Sequence, residues 1–84
     1  MNKSHIYEEY KRMGKNFMTP NVKKYEAIDN RIIELSTGFG FDNKLIIGVS
    51  EFEYDSGKLE STGRGEIFYT LKEANRYYKQ LLNS

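Results

Sequence analysis

Lys44-Leu45-Ile46-Ile47-Gly48-Val49-Ser50-Glu51-Phe52-Glu53-Tyr54 is the stretch on which the fold turns. It is rich in β-branched and aromatic residues, the composition that packs best on a pleated, half-buried surface. Leu45, Ile47 and Val49 share one face of such a strand, whereas Phe52 and Tyr54 share the other. A bulge near Ser50 would turn both sets inward, because one extra residue reverses the facing of everything beyond it. Asp55-Ser56-Gly57 reads as a turn and Lys58 to Thr62 as the returning strand. Gly63-Arg64-Gly65 interrupts that strand before Ile67-Phe68-Tyr69. Upstream, Lys24–Ile28 and Arg31–Ser36 flank Asp29-Asn30, two residues suited to a tight hairpin turn. Residues 37–43 (Thr-Gly-Phe-Gly-Phe-Asp-Asn) read as a loop.

Helices close both ends. Thr70-Leu71-Lys72-Glu73 is a capping box, Tyr69 can staple onto Ala74, and Leu71, Ala74, Tyr78 and Leu81 trace one apolar face. At the other end, Ser4 is a candidate cap. Ile6, Tyr10, Met13 and Phe17 fall at helical spacing, which predicts a helix over residues 4–15, ended by Gly14 and Pro20. The expected order is α-β-β-β-β-α. The fold class is α+β, a single domain with an antiparallel three- to four-stranded sheet and both helices packed on one face.

Eighty-four residues leave room for one core, and 14% aromatic content compensates for 38% apolar. There is no cysteine, which excludes disulfide and thiol chemistry and fits a reducing cytoplasm. No apolar run resembles a signal peptide or a membrane span. His5 is the only histidine, so metal sites and Ser-His-Asp catalysis lack parts, and neither enzyme activity nor a cofactor is expected. Glu51 and Glu53 share a strand face without a neighbour that would raise either pKa. Neither glycine cluster opens directly into a helix as a phosphate loop does.

Charge is unevenly spread. Residues 1–24 sum to +4, residues 25–66 to −5 and residues 67–84 to +2, giving basic ends around an acidic middle. The acids Glu34, Glu51, Glu53, Asp55, Glu60 and Glu66 have two readings: edge protection and solubility, or a carboxylate surface that engages a basic protein groove. Arg64, set between two glycines, is a contact candidate with them. Lys11, Arg12, Lys15, Lys23, Lys24, Lys72, Arg76 and Lys79 would merge into a phosphate-binding surface if both helices shared a face. Otherwise they are solvated helix faces.

Glu34-Leu35-Ser36, the Gly38/Gly40 loop, the Leu45–Tyr54 strand and Phe68-Tyr69-Thr70-Leu71-Lys72-Glu73-Ala74 together resemble small proteins of phages and mobile elements of AT-rich bacteria, over about residues 31–82. The composition resembles that of anti-CRISPR proteins. The resemblance implies a binding protein that inhibits a host or defence-system protein in the bacterial cytoplasm. Twelve aromatic residues and the long strand over 44–54 point separately to a homodimer paired through a sheet edge or an apolar helix face. The α-β-β-β-α order with Lys-Glu-Ala at a helix start is also similar to double-stranded-RNA-binding domains, and the strand-to-helix ending to integrase arms. Against these stand the lack of a Lys-Lys pair at the last helix and an acidic sheet. Nucleic-acid binding is the alternative function.

Overall fold

The computed structural model describes residues 3–14 and 16–84. Helix α1 (Ser4–Arg12) is followed by strands β1 (Asn21–Ile28), β2 (Arg31–Phe39), β3 (Leu45–Asp55) and β4 (Lys58–Phe68), then by helix α2 (Leu71–Leu82). The strands form one antiparallel sheet in the order β1-β2-β3-β4, so every connection is a hairpin between neighbours. This is the expected α-β-β-β-β-α order of an α+β fold. Among the described residues no helix is long and apolar enough to cross a membrane.

Turn chemistry sets the register. Asp29, at φ 54°, starts the two-residue turn that pairs Ile28 with Arg31. Ser56 and Gly57 both take positive φ between the paired residues Asp55 and Lys58, as a primed hairpin turn requires. The expected loop over 37–43 is shorter than its composition implies. β2 runs on to Phe39, and Gly40 N–H donates to the Lys44 carbonyl at 2.9 Å to close a tight connection.

The helices lie on opposite faces of the sheet, not on one. Alternate strand residues point to opposite sides. Ile33, Leu35, Ile47 and Val49 form one core with Ala74, Tyr78 and Leu81 of α2. On the other face, Glu34 is bonded by Tyr10 of α1 and Ser36 by Thr19, whereas Ile6, Ile32 and Ile46 are buried outside that α2 core. The physical reason is legible in β2, where all six residues from Arg31 to Ser36 are buried. Apolar doublets (Ile32-Ile33, Ile46-Ile47) put greasy side chains on both faces, and one helical layer covers only one of them.

The same arrangement removes the need for a bulge in β3. A register shift falls between Ser50 and Phe52 in the β3–β4 pairing, but β2–β3 pairing runs unbroken from Phe39–Leu45 to Arg31–Glu53. The extra residues therefore belong to β4, at 62–64. Phe52 and Tyr54 stay on the α1 side, where the His5 ring meets Tyr54 edge-on at 4.9 Å.

Met18 and Thr19, in the segment after α1, cross closely over the α1 side of the sheet. Thr19 is fully buried, and the Ser36 hydroxyl donates to Thr19 Oγ1 at 2.8 Å. Glycines make this approach possible. A Cβ on Gly38 would stand 2.1 Å from the Met18 carbonyl oxygen, and one on Gly48 2.9 Å from Thr19 Oγ1. Helix α1 ends at Arg12, earlier than expected, with Gly14 at φ +80° just beyond the Met13 cap. Its N-cap is Lys3, one residue before the expected Ser4. Phe17, expected on the helix face, is 95% exposed, and Lys15 lies outside the described residues.

Candidate functional site

Glu51 is the most heavily bonded of the sequence-selected acids, and it is buried, with 1% of its surface exposed. Arg31 Nη1 donates to Oε2 at 2.6 Å, and Arg64 grips both oxygens through Nε (2.8 Å) and Nη2 (2.6 Å). Thr62 Oγ1 donates to Oε1 at 2.6 Å. Burial alone would push this carboxyl up. The hydrogen bonds from Arg64, Thr62 and Arg31 outweigh it and hold the group down at about 2. Arg31 also donates to the Leu81 and Ser84 carbonyls, tying the cluster to the C-terminal end of α2, where orphan carbonyls carry partial negative charge. The β4 bulge at 62–64 is what brings Thr62 and Arg64 to the carboxylate. Both oxygens are occupied, so Glu51 serves as a structural ion-pair centre.

Glu34 is also buried, on the opposite face. Its Oε2 accepts the Tyr10 hydroxyl, whereas Oε1 has no partner among the described residues. Burial and the Glu34 carboxylate together push the Tyr10 phenol well above its ordinary value. The Tyr10 ring lies 4.7 Å from that of Tyr25, and Tyr7 meets Tyr25 edge-on at 5.9 Å, so α1 is docked by an aromatic cluster around one acid.

Two of the acids expected at a contact surface are therefore interior, and Arg64 is committed to one of them. Glu53, Asp55, Glu60 and Glu66 are exposed. Glu53 pairs with Glu60 and Asp55 with Lys58 on the arm of the β3–β4 hairpin, and Glu66 lies beside Arg76 and Tyr77 of α2. The basic residues merge only in part, with Lys23 and Lys24 of β1 beside α2. Lys11 and Arg12 sit on α1 on one side of the sheet, and Lys72, Arg76 and Lys79 sit on α2 on the other.

Sequence reasoning missed the apolar end of the molecule. Register places the β2–β3 connection, the start of β1 and the end of β4 together, through Asn21–Thr37, Thr37–Ile47 and Ile47–Phe68. Around that end Phe17, Met18, Phe39, Phe41, Leu45, Ile67, Tyr69 and Leu71 all remain exposed, Phe41 completely. They are contiguous. Phe17, Met18, Phe39 and Phe41 line a hollow of about 230 Å³, and Met18 and Phe41 also line one of about 330 Å³ reaching Ile67 and Tyr69. Tyr69 in turn borders a third hollow with Leu45 and Leu71. The available signal was Gly38-Phe39-Gly40-Phe41, two large apolar residues at the end of β2 and in the connection after it, set among glycines.

Among the described residues no group of three or more His, Cys, Asp or Glu is arranged to hold a metal ion. No family model, curated protein or solved structure matches this chain.

Proposed function

We propose that this chain is a non-enzymatic binding protein that docks a protein partner through its apolar end. The observation that carries this reading is the exposure of Phe17, Phe39 and Phe41 in one continuous patch. Contiguous apolar surface of this kind is rare on a monomer and typical of a protein contact. Aromatic side chains that fill hollows on a partner supply most of the energy in such contacts. The polar constellations support the same reading by being otherwise engaged, since Glu51, Arg31 and Arg64 are consumed in holding α2. The resemblance to phage and anti-CRISPR proteins supplies the class of partner, a defence-system protein of a bacterial host that this chain inhibits. The cysteine-free composition suits a reducing cytoplasm.

The acidic sheet is a weaker contact surface than the sequence implies, because Glu34 and Glu51 are interior. Glu53, Asp55, Glu60 and Glu66 remain as accessible charge. Nucleic-acid binding is disfavoured by the separation of the basic helices onto opposite faces, where one duplex would reach only one set.

Capture from a bacterial lysate on immobilised protein, before and after nuclease, tests the proposal. The expected result is a protein retained after nuclease and lost on Phe39→Ser or Phe41→Ser. Loss of every captured partner on nuclease treatment, or submicromolar salt-sensitive gel shifts with duplex or single strands, would overturn it.

A further inference from the structure

The third hollow of the apolar end differs from its neighbours in the charge on its rim. It is a groove of about 470 Å³ between the first turn of α2 and the sheet, with Leu35 and Ile47 behind it and Tyr69 and Leu71 at its lip. That volume falls within the range of pockets that enclose a compact group. Lys23 and Lys24 of β1 line one wall, and no carboxylate lines it among the described residues. Lys24 is held in place, its Nζ donating to Asn75 Oδ1 at 2.7 Å and lying 4.5 Å from the centre of the Tyr78 ring. A side chain fixed in this way loses little freedom when it meets an anion. The adjoining N-terminus of α2 is occupied by its own cap, Thr70 and Glu73, so the positive charge at the groove is that of the two lysines.

Resting on the reading of the apolar end as a docking surface, we infer that the partner segment seated here carries an apolar or aromatic anchor flanked by carboxylates. The anchor fills the groove, and a neighbouring carboxylate meets Lys23 and Lys24. This reverses the polarity expected from the acidic middle of the sequence, which pointed to a basic partner. A basic segment would bring like charge against both lysines, which suppresses wrong pairings.

Two blocked hexapeptides with Leu-Phe at the centre test this, one with Glu and one with Lys at the four flanking positions. Binding is followed by amide shifts of Leu45, Ile47 and Leu71 at about 50 mM salt, where exposed charges are weakly screened. The acidic peptide is expected to move these resonances and to bind at least tenfold tighter than the basic one. Lys23→Glu, which leaves the Lys24–Asn75 contact in place, should reduce that ratio to about threefold or less. Equal binding of the two peptides, preference for the basic one, absence of groove shifts, or a ratio unchanged by Lys23→Glu would each overturn the inference. None of those results touches the docking reading itself, which stands or falls on the Phe39 and Phe41 capture experiment.

Discussion

At Glu51 two effects oppose each other, and their balance makes an acid-sensitive joint. Burial disfavours the charge, while two guanidiniums and a hydroxyl favour it by more, leaving the carboxyl at about 2 against an ordinary 4.5. Because the folded value is the lower one, the stabilisation is complete above about pH 4.5 and is lost as pH falls towards 2. Glu51→Gln should cost about 3–5 kcal/mol, since it leaves Arg31 buried against a neutral partner. Urea midpoints at pH 7 check the size. A wild-type midpoint that falls steeply below pH 4.5, with a flatter profile in the variant, checks the sign. At Glu34 the asymmetry of buried hydrogen bonds decides. Tyr10→Phe removes the donor to a buried acid and should cost about 1–3 kcal/mol. Tyr10→Phe with Glu34→Leu should recover most of that loss, because neither polar group is then left unpaired. A double variant no more stable than Tyr10→Phe would refute this account.

The elements are joined by a few specific contacts. Thr70 caps α2 as its sequence predicts, accepting from Glu73 N–H at 3.3 Å, and its hydroxyl also donates to the Glu73 carboxylate at 2.8 Å. Tyr69, by contrast, stays largely exposed and belongs to the apolar end. Thr70→Ala should cost about 0.5–2 kcal/mol. Tyr78→Ala should cost about 3–5 kcal/mol, because it empties the centre of the α2 core. On the other face, Gly38→Ala must displace the backbone at Met18 and Thr19, with an expected cost of about 1–3 kcal/mol or more. Thermal melts rank the three. A Gly38→Ala melt equal to wild type would mean that Met18 and Thr19 do not cross closely over the sheet.

Across the whole molecule the sheet edges are guarded and the end is not. The edge of β1 is covered at Ala27, whose N–H donates to the Tyr7 hydroxyl (3.3 Å) and whose carbonyl accepts from Lys3 Nζ (3.2 Å). The edge of β4 is broken by its bulge and carries Glu60, Arg64 and Glu66. Both are devices against strand-to-strand pairing. The homodimer expected from the sequence should therefore form through the apolar end and not through a sheet edge. Light scattering is expected to give a mass above 9.9 kDa that rises with concentration, returning to 9.9 kDa with Phe39→Ser and Phe41→Ser. A Lys substitution at Ser61 on the β4 edge that abolished association, with the Phe variants still associated, would place the contact on the edge instead. Charge reversal at Glu53 and Glu60, on the far hairpin arm, should alter partner affinity less than Phe41→Ser does.

Local chemistry determined the elements of this protein. Capping at Thr70, the Asp29-Asn30 and Ser56-Gly57 turns, and the β-rich run from Leu45 to Tyr54 each act within a few residues, so they were legible in the chain. The disturbance near Ser50 was legible too, but its strand was not. Whether β3 or β4 carries extra residues depends on pairing partners remote in sequence. The same limit applies to function. A carboxylate at position 34, 51 or 53 looks alike in sequence, and burial is decided by which face a helix covers. Only the tertiary structure drew Arg31 and Arg64 onto Glu51, separated the basic helices and left the phenylalanines of the β2–β3 end in solvent, because each of these depends on long-range packing across both faces of one sheet.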